Sequence, residues 1–238
     1  MPEKIIIGNA ELWHGDCREV LPLLPKHDLL LTDPPYGIGE SSKRNASRGT
    51  SSKKWKMATV KDYGYFDWDK EPTEDLILEN ARSLCDKQII FGGNYYNLPP
   101  CKGPLIWDKL NSGDFADGEM AWNNLGCALR IKRHLWNGFA REGNEERFHP
   151  TQKPLAIMAW CLSFVPDAEI VLDPFMGSGT TGVACAQLGK AFTGIERERR
   201  YFDIACERIE RAQSQGQLFA PEIATPPVQE RMALEACI

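Results

Sequence analysis

Asp173-Pro174-Phe175-Met176-Gly177-Ser178-Gly179-Thr180-Thr181-Gly182 is the stretch on which the fold turns. A predicted strand over residues 169–172 leads into it, and a predicted helix over 180–188, stopped by Gly189, leads out. Gly177, Gly179 and Gly182 match G-x-G-x-x-G, and Glu196 closes the next predicted strand, 191–195. Taken alone, that is a dinucleotide-binding pattern. A pyrophosphate loop, however, begins its first glycine at the strand end, so that phosphate meets the helix N-terminus. Here Asp173 to Met176 intervene and put a carboxylate at the strand end. A carboxylate repels pyrophosphate and suits a cationic ligand. The glycines let backbone pass close to a nucleoside, and Glu196 is placed to accept two ribose hydroxyls.

Upstream, the near-continuous apolar run His27–Thr32 reads as a buried parallel strand. It stops at Asp33-Pro34-Pro35-Tyr36. Two prolines fix φ near about −65° and remove two backbone donors. The turn is therefore stiff and rich in acceptors, the Asp33 carboxylate and the Pro34 carbonyl. An exocyclic amine on a base is a poor nucleophile, because its lone pair is delocalised into the ring. Two acceptors on its N–H bonds favour a pyramidal nitrogen and aim the lone pair at an electrophile. The Tyr36 ring offers a face for stacking, and such a base must first leave its duplex.

The remaining pattern supplies the frame. Strands are predicted over 11–14, 88–91 and 104–107, and 119–123 with 128–134 read as two strands of a hairpin or sheet edge. Helices are predicted over 18–24, over 72–85 with Leu76, Ile77, Ala81 and Leu84 as its stripe, over 153–164, and over 199–212 with Phe202, Ala205, Cys206 and Ile209 on one face. Alternating strands and helices imply an α/β fold with a mostly parallel sheet. Ligands of such sheets sit at the carboxyl ends of strands. Four acids fall there: Asp16, Asp33, Asp173 and Glu196.

Composition narrows the class. At 238 residues, 42 % hydrophobic and 26 % charged, the chain suits one large domain, or one with a small insert. A net charge of −5 argues against a polybasic binder, but the balance is uneven. Residues 41–61 hold seven basic residues and residues 127–141 four more, with no acid in either, so the rest carries −16. No apolar run approaches a membrane span, and the first seven residues are too short for a signal peptide. The eight scattered cysteines lack C-x-x-C spacing and read as buried thiols of a reducing cytoplasm. The four histidines do not cluster, which argues against a metal site.

Asp33-Pro-Pro-Tyr36 and Asp173-Pro-Phe-Met-Gly-Ser-Gly-Thr-Thr181 together resemble the catalytic signature and cofactor loop of the S-adenosylmethionine-dependent DNA amino-methyltransferases. The catalytic signature comes first, as in their permuted beta group. The resemblance spans roughly residues 10–210. It implies a Rossmann-like class I methyltransferase fold in circularly permuted order, helices on both faces, with a small target-recognition insert. A catalytic domain over 1–220 would leave a loose tail at 221–238. Asp33, Pro34, Pro35 and Tyr36 are implied as catalytic. Asp16 and Cys17 match the segment whose acid meets the cofactor's adenine. His149-Pro-Thr151-Gln-Lys153-Pro154 matches the segment near its methionine end, where Lys153 and helix N-terminal amides would hold the carboxylate. Asp33, Asp173, Phe175, Gly177, Ser178, Gly179, Thr180 and Thr181 join the cofactor set, and Glu196 matches the ribose-binding strand end.

In this family an aspartate in the first position of the signature accompanies adenine N6 chemistry and a serine accompanies cytosine N4. Asp33 therefore favours transfer of a methyl group to adenine N6 in flipped, double-stranded DNA, as in restriction–modification. Cytosine N4 methylation stays open, as does a non-catalytic DNA-binding protein on the same fold. The loop 39–62, with Lys43, Arg44, Arg48, Lys53, Lys54 and Trp55, suits phosphate contact beside the flipped base, or is a solvated loop. Residues 108–148 occupy the place of the target-recognition region, and Arg130, Lys132 and Arg133 there suit DNA, or form an exposed strand face. That region is short, which suggests a short target or a homodimer. Gln215-Gly-Gln-Leu218-Phe219 resembles the peptides by which bacterial proteins dock onto the replication sliding clamp, or ends a helix that packs its Leu-Phe on the body.

Overall fold

The computed structural model describes residues 2–37, 72–111, 116–136, 142–143, 145–149 and 151–215. Among these residues nine strands form one sheet: β1 (Glu3–Ile7), β2 (Ala10–His14), β3 (His27–Thr32), β4 (Cys85–Phe91), β5 (Leu105–Asp108), β6 (Gly118–Asn123), β7 (Arg130–Arg133), β8 (Ile170–Asp173) and β9 (Ala191–Glu196). Five helices accompany them: α1 (Cys17–Val20), α2 (Asp75–Ser83), α3 (Leu155–Leu162), α4 (Thr180–Gln187) and α5 (Arg199–Ser214). The strand order is β1-β2-β9-β8-β3-β4-β6-β5-β7. The five central strands β2, β9, β8, β3 and β4 are mutually parallel.

Side-chain alternation divides the core. Leu29 and Leu31 of β3, Ile89 and Phe91 of β4 and Val171 of β8 join one cluster with Ile157 of α3, Val183 of α4 and Phe202 of α5. Leu30, Ile90 and Leu172, one position out of step, join Val20 of α1 and Ala81 of α2 in the other. Successive side chains of a strand face opposite ways, so helices cover both faces of the sheet.

Three details go beyond the sequence reading. The N-terminus forms a strand: Ile5, Ile6 and Ile7 pair with β2 around Gly8-Asn9, with Gly8 at φ +55°. A glycine-led two-residue turn between apolar runs is a hairpin signal. Of the two readings of residues 119–123 and 128–134 the sheet edge holds and the hairpin does not: β5 lies between β6, antiparallel to it, and β7, parallel to it, at the edge. Helix α2 buries Leu78 and Ala81 and leaves Leu76 63 % exposed, because at 3.6 residues per turn Leu76 falls on the opposite side of the helix from them.

The chain reverses its direction of travel across the sheet between β8 and β3. From β8 it proceeds to β9 on one side, and from β3 to β4 on the other. The crevice at the carboxyl ends of these two strands is where a ligand of such a sheet binds. Asp33 and the Asp173 loop both emerge there.

Candidate active site

The end of β8 is pinned before it becomes a loop. Asp173 is 2 % exposed. Its Oδ1 accepts from Thr32 Oγ1 at 2.7 Å and from the Phe175 amide at 3.1 Å, and its Oδ2 accepts from Thr181 Oγ1 at 2.6 Å. Burial pushes its carboxyl up to about 6, against those hydrogen bonds. Asp173 thus ties together the ends of β3 and β8 and the start of α4.

The three glycines do different work. Gly177 lies at φ +52°, and a Cβ there would meet nothing nearer than His149 at 3.9 Å, so that side of the loop is open. Gly179 lies at φ +78°, and a Cβ there would stand 2.8 Å from the Ala205 Cβ; Gly182 sits as tightly against Phe192. Gly177 borders the cavity, whereas Gly179 and Gly182 let α4 close on α5 and β9. Arg208 of α5, which the sequence did not single out, donates to the Ser178 carbonyl at 2.5 Å and to Thr180 Oγ1 at 3.2 Å, and approaches Glu145 at 3.5 Å.

A cavity of about 280 Å³ opens along the carboxyl ends of β2, β9, β8 and β3. It is bordered by Asp16, Cys17, Asp33, Thr151, Lys153, Asp173, Phe175, Gly177, Ser178, Thr180, Thr181 and Glu196, residues far apart in the chain. Asp16 caps α1 by accepting from the Arg18 amide at 2.9 Å, and pairs with the Arg18 guanidinium, whose hydrogen bond holds its carboxyl below the usual range. The Cys17 thiol is pushed up to about 12 by burial and is no nucleophile. Glu196 accepts from the Glu198 amide at 2.7 Å, and burial pushes its carboxyl up to about 7. His149, held neutral by burial with its pKa near about 3, accepts the Thr151 amide on Nδ1.

At the other end of the cavity stands the catalytic-type turn. Asp33 Oδ1 accepts from Tyr36 OH at 2.5 Å. The Tyr36 ring stacks on Tyr95 at 4.9 Å and leans on Gly92, where φ is +66° and any side chain would run into it. Tyr96 OH donates to the Pro35 carbonyl at 2.7 Å and to the Pro34 carbonyl at 3.1 Å. Tyr95 and Tyr96 therefore stiffen the turn, a role that nothing in their local sequence announced. Lys153 lies on Asp33 Oδ2 at 2.5 Å and beside Glu119 at 2.9 Å. Its ammonium is thereby engaged by the turn, and the first α3 amide beyond it, that of Leu155, is taken by Glu145.

The expected DNA contacts divide. Arg130 and Arg133 lie exposed on β7 and Lys132 is half-buried, with Arg133 spent in part on Asp108 at 3.2 Å. Lys43, Arg44, Arg48, Lys53, Lys54 and Trp55 lie outside the described residues, as do Leu218 and Phe219 of the clamp-like peptide. Among the described residues no cluster of His, Cys, Asp and Glu is placed to hold a metal ion, and no helix is long and apolar enough to cross a membrane.

Comparison with known proteins follows the same lines. Residues 117–207 match the N6/N4 family model described as DNA methylase. The type II methyltransferase M.HinfI of Haemophilus influenzae is 28 % identical over 99 % of this chain and 79 % of its own length. M.ScaI of Streptomyces caespitosus, also a type II methyltransferase, is 26 % identical over 85 % of this chain and 82 % of its own. The structure of the PvuII cytosine-N4-specific DNA methyltransferase superposes with a TM-score of 0.53 at 13 % identity, covering 88 % of this chain and 91 % of that one. That of the M1.HpyAVI–SAM complex does so with 0.50 at 22 % identity, covering 84 % and 98 %. The fold is that of the class I methyltransferases; residues 117–207 are similar to the N6/N4 DNA methylases, and these matches together support an S-adenosylmethionine-dependent DNA methyltransferase.

Proposed function

We propose that the amine methylated is N6 of adenine, in double-stranded DNA, on a base turned out of the helix. The observation that carries this reading is the Asp33 carboxylate. It follows a strand buried from Leu29 to Thr32, faces the cavity, and sits in a turn that Tyr96 and two prolines hold stiff. A carboxylate there accepts an amine N–H and opposes the positive charge that grows on nitrogen as it takes a methyl group. The Pro34 carbonyl, which already accepts from Tyr96 OH, would be the second acceptor through its other lone pair. Orientation of the amine supplies much of the rate.

The cavity fits the cofactor on chemical grounds. It is a slot with the open Gly177 backbone on one wall, Phe175 beside it, and the Asp16 and Glu196 carboxylates on its rim. Glu196 would take the ribose hydroxyls, Asp16 and Cys17 would border the adenine, and Ser178, Thr180 and Thr151 would line the amino-acid end. When bound, the cofactor supplies an electrophilic methyl group on a sulfonium. Asp173 keeps its loop in shape, and Lys153 serves the turn. DNA would be met by the basic segment 41–61 and by Arg130 and Lys132 of β7, which suits a modification enzyme of the kind the type II relatives are named for.

Incubation with unmethylated DNA and methyl-labelled S-adenosylmethionine, followed by nucleoside analysis, tests the reading. Label in N6-methyladenine is expected. Label in N4-methylcytosine would assign the other amine, and no label in folded protein across varied DNA would leave only a binding module.

A further inference from the structure

Four charged side chains from four segments meet in one buried line. Asp33 follows β3, Lys153 enters α3, Glu119 lies in β6 and Lys109 follows β5. Lys153 Nζ stands 2.5 Å from Asp33 Oδ2 and forms an ion pair at 2.9 Å with Glu119 Oε2, and Lys109 closes on the other Glu119 oxygen. Tyr36 OH lies 3.3 Å from Lys153 Nζ. The Lys153 side chain is only 5 % exposed. Burying such a line is a costly way to hold a fold, since apolar side chains tie elements as well without desolvating charge. Perturbed charges at a cleft point to function.

The line is unequal. Glu119 has two ammonium groups, Lys153 has two carboxylates, and Asp33 has a share of one. Burial pushes the Asp33 carboxyl up, Lys153 pulls it down and Glu119 pushes it up again. Burial acts to raise Glu119 too, yet Lys153 and Lys109 hold it below the ordinary range. Burial opposes the Lys153 charge, and the two carboxylates outweigh it. Among the described residues, Tyr36 in the same turn, Tyr96 behind it and Asp173 in β8 also face Asp33, and His149 faces Lys153.

We propose that Glu119 is a positioning residue for methyl transfer, holding Lys153 so that its ammonium is shared with the Asp33 carboxylate rather than spent on it. Asp33 then stays oriented by Tyr36 on one oxygen and Lys153 on the other, and its remaining lone pairs accept the target amine. Without Glu119, Lys153 has one buried carboxylate partner, its charge falls on Asp33 alone, and Asp33 is weakened as an acceptor. The proposal rests on Asp33 being the amine acceptor. Glu119 itself touches no reacting atom.

Single-turnover methyl transfer measured across the acidic limb of the pH–rate profile decides it, with cofactor affinity determined separately. Asp33→Ala is expected to be inactive with cofactor affinity kept; an active Asp33→Ala would overturn the underlying reading itself. Glu119→Gln is expected to lose about 10- to 100-fold in rate, the scale of a misplaced catalytic group, with cofactor Kd within about threefold. Its acidic limb moves to lower pH, because a charge that raises Asp33 is gone and Lys153 is left to Asp33 alone. Lys153→Gln moves the limb the opposite way. A merely structural role would lower stability without moving the limb. A folded Glu119→Gln with the wild-type rate and limb overturns the inference and leaves the functional reading standing. Glu119→Asp keeps the charge on a shorter arm and is expected to fall between the two in rate. If Glu119→Gln does not fold, a folded Glu119→Asp at full wild-type rate overturns the inference equally.

Discussion

Asp173 and Glu196 are both raised carboxyls at strand ends, but their neighbours set them to different tasks. Asp173 has its oxygens filled by Thr32, Thr181 and the Phe175 amide. Thr181→Val removes one donor from a buried acid and should destabilise the fold by about 1–3 kcal/mol, read by denaturant unfolding. Glu196 faces the cavity with a carboxyl near about 7, raised by burial. Its ionised form is the better acceptor for ribose hydroxyls, so protonation as pH falls through 7 removes that acceptor. Cofactor affinity should therefore weaken below neutrality, by at most about tenfold per pH unit. Calorimetry at several pH values checks this, and Glu196→Gln should flatten the profile at weaker binding. The four acids were legible because a strand end can be read from where an apolar run stops. Their surroundings were not: Thr32 beside Asp173, and Glu119 and Lys109 beyond the Lys153 that meets Asp33, come together only through sheet order, which no local pattern carries.

The glycine loop separates folding from binding along one element. Gly179→Ala puts a side chain at positive φ and 2.8 Å from the Ala205 Cβ of α5, so α4 and α5 must part. A loss of about 2–3 kcal/mol is expected, seen as a lowered Tm. Gly177→Ala bears the positive-φ cost of about 1 kcal/mol alone, since the space beside it is open, and its main effect should be weaker cofactor binding. A larger stability loss at Gly177 than at Gly179 would contradict this division. The G-x-G-x-x-G spacing showed the loop but not which glycine served which purpose, because that depends on α5, which begins 17 residues beyond Gly182. The parallel strands were equally legible, being apolar runs buried on both faces. The arrangement of β5, β6 and β7 was not, because chain neighbours there are separated in the sheet.

For the whole molecule, the charge of −5 conceals an acidic body and two basic segments. DNA affinity should fall with salt, as counterions released by basic side chains compete. Arg130→Ala with Lys132→Ala should reduce the log–log salt slope by about two, and Arg133→Ala should add less, since Asp108 already engages it. The central claim concerns a smaller part: that the Asp33 turn, and not the cofactor cavity alone, makes this fold a methyltransferase of amines. The direct measurement compares wild type and Asp33→Ala for methyl transfer to unmethylated DNA and for S-adenosylmethionine binding on the same preparations. The account predicts that the variant binds cofactor within a few-fold of wild type, here about threefold, and transfers no methyl group, a loss of a group acting on the transition state. Methyl transfer by the variant at the wild-type rate would contradict it.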